Sequence, residues 1–263
     1  YFSTLLNMID SENKIHANMN PCGTISGRLS SSKPNLQNIV KSSIIKKMFI
    51  SNTPEGYLVS FDYKAHELRV FALLINDVKL INKFKECFEP HIYNASLIFQ
   101  KDMKDITPKE KTLAKNTNFG LLYGEGITTL AKSLGVSQEK AKEFQTKFKE
   151  MYPSIEQYYK LIKVSLQKQD YFSIPIGRKW RTNNLDFPQQ INLPIQGTAA
   201  YVCLLGASQL LQKGYNIVLQ VHDSIVISFP SLPTTDELLD IYNTCKTIAL
   251  PGFEDSQNLW DGE

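Results

Sequence analysis

Arginine is scarce in this chain of 263 residues. Of the 29 basic residues only Arg28, Arg69, Arg178 and Arg181 are arginine, leaving 29 − 4 = 25 lysines. Where lysine serves almost everywhere, a retained guanidinium marks either a place that needs a planar, bidentate fork for phosphate or base edges, or ordinary surface charge. A large charge excess is missing too. The 26 acidic residues nearly balance the basic ones, for a net +3, so a nucleic-acid partner must be argued from local placement. The four cysteines, Cys22, Cys87, Cys203 and Cys245, form no Cys-x-x-Cys pair. Their spacing argues against zinc and for reduced thiols in an intracellular compartment, with four buried small residues as the plain reading. No stretch approaches the eighteen or so apolar residues of a membrane span, and the opening Tyr-Phe-Ser-Thr carries no basic-then-apolar signal. The missing initiator methionine implies a fragment. Internal repeats and low-complexity tracts are absent as well. What is present, 42% apolar and 11% aromatic residues, suffices for one large core or two small ones.

The first forty residues mix polar and turn-forming types and read as an ordered loop. A short strand from Tyr57 delivers Asp62, after which Glu67, Leu68, Val70, Phe71, Leu74 and Ile75 recur at helical spacing. Thr107-Pro108-Lys109-Glu110 supplies an N-cap, a first-turn proline and a capping-box glutamate for a helix running to about Gly124. Further helices are predicted over Thr129 to Leu134, Ser137 to Met151 and Ser154 to about Lys168. A small hairpin turning at Pro175 to Gly177 follows, then a helix opened by Pro194 and ended by Gly214. Ile217 to Val221 and Ile225 to Phe229 read as two strands holding Asp223 on a tight turn. Strands in two blocks around a helical insertion imply a sheet platform with a helical subdomain.

Asp62 and Asp223 both end apolar strands, where unpaired carboxylates are costly and two converging ones repel unless cations bridge them. That pattern suggests magnesium and two-metal phosphoryl transfer. Lys111, Lys115, Phe119 and Tyr123 recur every four residues, a face cationic in its first half and aromatic in its second. Such a face suits a triphosphate and a stacked sugar or base; an ordinary amphipathic helix is the alternative. His91 adds either a phosphate donor or a capping or surface histidine. Arg28, among Gly23, Gly27 and a serine run, suits phosphate, sugar or base-edge contacts, though a generic Gly/Ser loop would look the same. Asn192 and Gln196, at the junction around Pro194, could read minor-groove acceptors, and helix capping would also explain Asn192.

Taken together, Thr-Ile-Ser-Gly-Arg-Leu-Ser-Ser-Ser-Lys-Pro-Asn-Leu-Gln-Asn-Ile, Phe-Asp-Tyr-Lys-Ala-His-Glu-Leu-Arg, Lys-x3-Lys-x3-Phe-Gly-x2-Tyr-Gly and Gln-Val-His-Asp resemble the motifs of family A (polymerase I-type) DNA polymerases. They stand in the family's order from about Asn20 to Trp260. The resemblance implies an α+β fold, a right-hand palm built on an antiparallel sheet with an inserted helical fingers subdomain. It divides the chain into a thumb remnant and primer-template loop at 1–40, palm at 41–80, fingers at 81–185 and palm at 186–263. Template-directed addition of deoxynucleotides to a primer is the implied activity, with primer-template DNA and dNTPs as partners, no membrane, and an unnamed processivity or helicase partner. The implied setting is intracellular: the cytoplasm of a bacterial or phage-infected cell, or an organelle.

By the same resemblance, Asp62, Asp223 and the Tyr63 carbonyl bind two Mg²⁺ ions, with Mn²⁺ as a substitute. Lys115 grips the triphosphate and protonates the leaving group; Lys111 and His91 support it, and Phe119 stacks on the sugar. Glu67 crowds the 2′ position and hydrogen-bonds Tyr123. Arg28, Arg178, Asn192, Gln196 and His222 match DNA-contacting positions. Departures from the family pattern are Lys64-Ala65-His66 after Asp62-Tyr63, Lys111 where arginine is usual, and Ser224 in place of the glutamate after His-Asp. The last leaves the third carboxylate in doubt. The short segment before the first motif implies that a thumb is nearly absent and that no proofreading exonuclease lies within this chain. A single-subunit RNA polymerase and a non-catalytic duplex-binding module remain as rival readings.

Overall fold

The structure is a computed structural model that describes residues 2–39, 43–86, 88–168, 171–173, 176–181 and 185–263. It is of α+β class, with antiparallel sheets, and divides into two compact units: Tyr1–His66 with Gln196–Glu263, and Glu67–Ile195.

The first unit is discontinuous in sequence because its central sheet is. Strand β3 (Tyr57–Asp62) pairs antiparallel with β7 (Ser224–Phe229), which pairs with β6 (Ile217–Val221). The register sets Asp62 opposite Ser224 and Tyr57 opposite Phe229. Ile225, Ile227 and Phe229 alternate inward, as a strand with one buried face requires. The chain end runs back along β3, where Asp62 and Glu263 exchange N–H···O bonds of 2.8 and 3.0 Å. Gly262 makes this approach possible, since a Cβ there would lie 2.2 Å from the Phe61 ring. Trp260 is wholly buried and donates to the Ile248 carbonyl at 2.8 Å. Around this core lie short helices α1 (Phe2–Leu6) and α2 (Ser43–Lys46) and the capping-box helix α11 (Thr235–Lys246). The opening segment, expected as loop throughout, also contains an antiparallel pair, β1 (Asn18–Asn20) and β2 (Ser30–Ser32). Apart from Met19 its residues are polar, so the pairing shows no apolar alternation that a sequence could reveal.

The second unit is mostly helical. It holds α3 (His66–Leu74) from Glu67 on, α4 (Val78–Lys85), α5 (Pro90–Phe99), α6 (Pro108–Leu122), α7 (Ile127–Leu134), α8 (Gln138–Met151), α9 (Ser154–Lys168) and a small hairpin, β4 (Tyr171–Ser173) with β5 (Lys179–Arg181). Thr107 caps α6 with the full reciprocal box to Glu110, and Gly135 ends α7 at φ +66°. Leu68, Phe71, Ile81, Phe84, Leu122, Leu130 and Ile162 form its core. Arg69 is buried, with its guanidinium 4.7 Å over the Phe84 ring and donating to the Phe84 carbonyl, so this arginine ties α3 to α4. Of the expected hairpin turn, Pro175 lies outside the described residues.

One helix boundary requires correction. Helix α10 (Phe187–Gln212) begins seven residues before Pro194, which sits inside it. A proline interior to a helix costs one backbone hydrogen bond, but Asp186 and Gln189 cap the start reciprocally, at 2.8 and 3.2 Å. That Asp-x-x-Gln signature precedes an apolar run and identifies the helix start. Asn192 and Gln196 therefore lie within one continuous helix, four residues apart, rather than at a turn-to-helix junction.

Candidate active site

Asp62 ends β3 and Asp223 lies in the turn between β6 and β7, so strand pairing brings both to one end of the sheet. The Tyr63 N–H donates to the Asp223 carbonyl at 3.2 Å, and the Ser224 hydroxyl donates to Asp62 Oδ2. Two non-glycine residues flank the site in left-handed backbone, Ala65 at φ +48° and His222 at φ +54°. Such conformations cost about 1–3 kcal/mol and persist where surrounding structure holds them. Asp223 is 26% exposed, yet its Oδ1 is buried without a hydrogen-bond partner among the described residues. Arg28 Nη2 stands 3.9 Å and His66 Nδ1 3.6 Å from that oxygen, close enough for attraction but beyond a formed hydrogen bond. Burial alone would raise the Asp223 carboxyl; His66, Arg28 and His222 outweigh it and hold the group below its ordinary value.

His66 carries more of this site than its sequence position suggests. It is 2% exposed, stacks on Tyr63 with ring centroids 4.5 Å apart, and meets Trp260 edge-on at 5.6 Å. Only its departure from the family pattern drew attention to it in the sequence. Tyr63 is itself fixed by close packing, because a Cβ on Gly206 would lie 2.6 Å from its hydroxyl. Gln220, buried in β6, receives Gln37 Nε2 at 3.2 Å and donates to the His222 carbonyl, which ties the opening segment to the turn. Both glutamines lie in motifs noted in the sequence, but their contact could not be read there, since amide pairing has no periodic signature.

Among the described residues, no group of three or more His, Cys, Asp or Glu is placed to hold a metal ion. Two carboxylates do fit a hard divalent cation: both offer oxygen ligands, and the buried Asp223 Oδ1 lacks a hydrogen-bond donor. Cys203 and Cys245 are buried thiols whose pKa values burial raises to about 12 and about 11, which makes them inert. Cys22 is exposed, contrary to the plain reading of four buried cysteines, and the side chain of Cys87 lies outside the described residues.

In the second unit, Lys111, Lys115 and Phe119 lie on α6 and Tyr123 caps its end. The two lysines are exposed, Lys111 lying 3.4 Å from Glu89, while Phe119 and Tyr123 are half-buried with rings stacked 6.4 Å apart at 13°. The Tyr123 hydroxyl donates to Glu67 Oε2. His91 is neither a capping nor a surface residue: it is 6% exposed, within α5, its ring 5.9 Å from that of Phe119. Burial first, then Lys115 and Lys111, lower its pKa to about 4, so the ring is neutral near pH 7. Arg178 precedes β5, its guanidinium 5.6 Å over the ring of Trp180. His222 is exposed on its turn.

Residues 1–244 match the sequence model of DNA polymerase family A. DNA polymerase I of Caldicellulosiruptor bescii is 34% identical over 254 residues, covering 88% of this chain and 29% of the relative. The thermostable DNA polymerase I of Thermus aquaticus is 32% identical over 236 residues (82% and 28%), and the DNA polymerase of Mycobacterium phage D29 is 30% identical over 234 residues (88% and 38%). The chain thus spans well under half the length of these relatives. Among solved structures, the POL domain of Pol1 from M. smegmatis, in complex with DNA primer-template and dNTP, superposes with a TM-score of 0.83 at 26% identity, over 99% of this chain and 49% of that one. With a family model matched over nearly its whole length and a fold shared with a polymerase domain, the chain belongs to DNA polymerase family A.

Proposed function

We propose that this chain is the palm and fingers portion of a DNA-directed DNA polymerase that adds deoxynucleotides to a primer 3′-hydroxyl. The observation that carries the reading is the pair Asp62 and Asp223, brought to one end of a sheet by strand pairing in a chain of this family. Polymerases of family A use divalent metal ions. Here Asp62, Asp223 and the Tyr63 carbonyl would hold two Mg²⁺, with Mn²⁺ as a substitute. Bound there, the ions supply Lewis acidity toward the primer hydroxyl and neutralise phosphate charge.

The protein's own groups do the rest. Arg28 and His66 keep Asp223 ionised, the form a cation needs. Lys111, Lys115 and His91 bind the phosphates, and Lys115 can pass a proton to the departing pyrophosphate. Phe119 stacks on the incoming sugar, and Glu67, held by Tyr123, fills the space a 2′-hydroxyl would need. Arg28, Arg178, Asn192, Gln196 and His222 contact primer-template DNA, the amides reading minor-groove acceptors common to correct base pairs. In this reading residues 1–40 are a thumb remnant and primer-template loop, 41–80 and 186–263 the palm, and 81–185 the fingers. The setting is the cytoplasm of a bacterial or phage-infected cell, or an organelle.

One observation favours a second reading, a duplex-binding module without catalysis: Ser224 stands where a third carboxylate is usual. Extension of a primed template with dNTPs or rNTPs, with and without Mg²⁺, separates the readings. Mg²⁺-dependent, template-directed dNTP addition is expected. Preference for rNTPs would point to a single-subunit RNA polymerase, and duplex binding without extension to the inactive module.

A further inference from the structure

The second unit contains a buried polar chain that its core does not need. Asn94 Nδ2 on α5 donates to Asn118 Oδ1 on α6 at 2.7 Å and to the Tyr152 hydroxyl, after α8, at 3.4 Å. Asn118 Nδ2 in turn donates to His91 Nδ1 at 3.0 Å. All four residues are at least nine-tenths buried, at 1–6% exposure. Buried side-chain networks of this kind are costly when incompletely satisfied and specify one arrangement when they form. This one ends on an open donor position: His91 Nε2 is buried with no hydrogen-bond partner among the described residues.

The direction of the chain decides which ring nitrogen carries the proton. With its Oδ1 already accepting from Asn94, Asn118 can present only N–H to His91, so Nδ1 must be the acceptor and the proton must sit on Nε2. Reversing both amides would instead leave the buried Asn94 amine without an acceptor. Orphaned buried N–H groups are rarer than under-used carbonyls such as Asn94 Oδ1. We infer that Asn118, oriented by Asn94, is a positioning residue that locks His91 as a neutral Nε2–H donor for a phosphate oxygen of the incoming nucleotide. This rests on the proposed role of His91 in nucleotide binding. The charged or titratable groups around the ring are Lys111 and Lys115 on α6, Glu89 paired with Lys111, and Tyr152. Beside two lysines, a neutral donor adds a hydrogen bond without adding a third repelling charge.

The test is ¹⁵N NMR of the histidine rings across pH, with His91 assigned by loss of its signals in His91→Gln. The expected wild-type spectrum has a bare Nδ1 and a protonated Nε2 from pH 6 to 8, with a titration midpoint below about pH 5. In Asn118→Asp the carboxylate accepts from Nδ1–H, so the midpoint should rise above about pH 7. The neutral ring would then turn a lone pair toward the phosphate, and the KM for dNTP relative to wild type should rise at least about threefold between pH 6 and 8. If Asn118→Asp does not fold, Asn94→Ala should mix the two tautomers. A wild-type proton on Nδ1, or a titration that Asn118→Asp leaves in place, would overturn the inference. An unchanged nucleotide KM in His91→Gln, with the expected tautomer present, would instead overturn the phosphate role and leave the relay standing.

Discussion

Asp62 and the Asp223 turn are held together by strand pairing across a sequence separation of 162 residues, as the Asp62–Ser224 contact measures it, whereas Lys111, Lys115, Phe119 and Tyr123 are aligned by the repeat of a single helix. The acidic end of the sheet therefore depends on everything that fixes the sheet: the returning chain end at Gly262, the Tyr63 packing against Gly206, and the stacked, buried His66. The cationic row depends on little beyond the Thr107–Glu110 cap and one packed face of α6. Charge follows the same division in part. Asp223 is half-buried and electrostatically compensated, with Arg28 and His66 close by, whereas Asp62, Lys111 and Lys115 are exposed. Lesions should accordingly be severe and coupled in the first unit, graded and local in the second.

The largest effect is expected at the carboxylates. Asp62→Ala and Asp223→Ala should each slow single-nucleotide addition by at least about a thousandfold while duplex binding persists, because each removes a proposed metal ligand and leaves the proposed cationic contacts intact. A near-native rate for either would move the active site elsewhere. Lys115→Ala should cost about a hundredfold or more, in the range of losing one stabilising donor, with Lys111→Ala milder. Equal defects would break the idea of a graded row. Glu67→Ala should raise ribonucleotide use relative to deoxyribonucleotide, and Tyr123→Phe should do so less, since it removes only the hydrogen bond to Glu67. A discrimination ratio that neither variant moves would remove this pair from the nucleotide site.

Ser224→Ala sharpens the comparison within the sheet. The hydroxyl is uncharged and supports Asp62 through a hydrogen bond, so its loss should slow extension by no more than about tenfold, or about 1.4 kcal/mol of barrier. A defect as deep as that of Asp223→Ala across a Mg²⁺ titration would make Ser224 a ligand in its own right. A different kind of effect, on stability rather than rate, is expected in mild acid. His91 has a pKa of about 4 in the fold against 6.5 ordinarily, so below pH 6.5 the unfolded chain takes up a proton that the folded one refuses. Stability should therefore fall as pH drops from 6.5 toward 4, by at most about 3 kcal/mol from this group. Denaturant unfolding of wild type and His91→Gln at pH 7 and 5 checks this, with the variant showing the shallower loss.

Much of the second unit could be read directly. Capping boxes, first-turn prolines and C-terminal glycines are local chemistry, and the structure places α6, α8 and α9 within a residue or two of where Thr107-Pro108, Ser137 and Pro153 put them. Pro194 suggests a helix start inside α10, but the Asp186–Gln189 cap, equally local, outweighs it. His66 could be noticed only as an oddity of type. A buried histidine and a surface one are the same letter, and what makes this one consequential is its ring stacked on Tyr63 beside Asp223.

By itself the sequence determined α6, α8, α9 and the strands β3, β6 and β7, the positions of Asp62 and Asp223 at strand ends, and the four-residue repeat of Lys111, Lys115, Phe119 and Tyr123, because each depends on neighbours a few residues away. Only the tertiary structure decided that β3 lies beside β7, that Asp223 sits against Arg28 and His66, and that His91 ends a buried relay through Asn118 and Asn94. Those contacts join segments distant in the chain, and which buried polar atom finds which partner is settled by packing that no local pattern encodes.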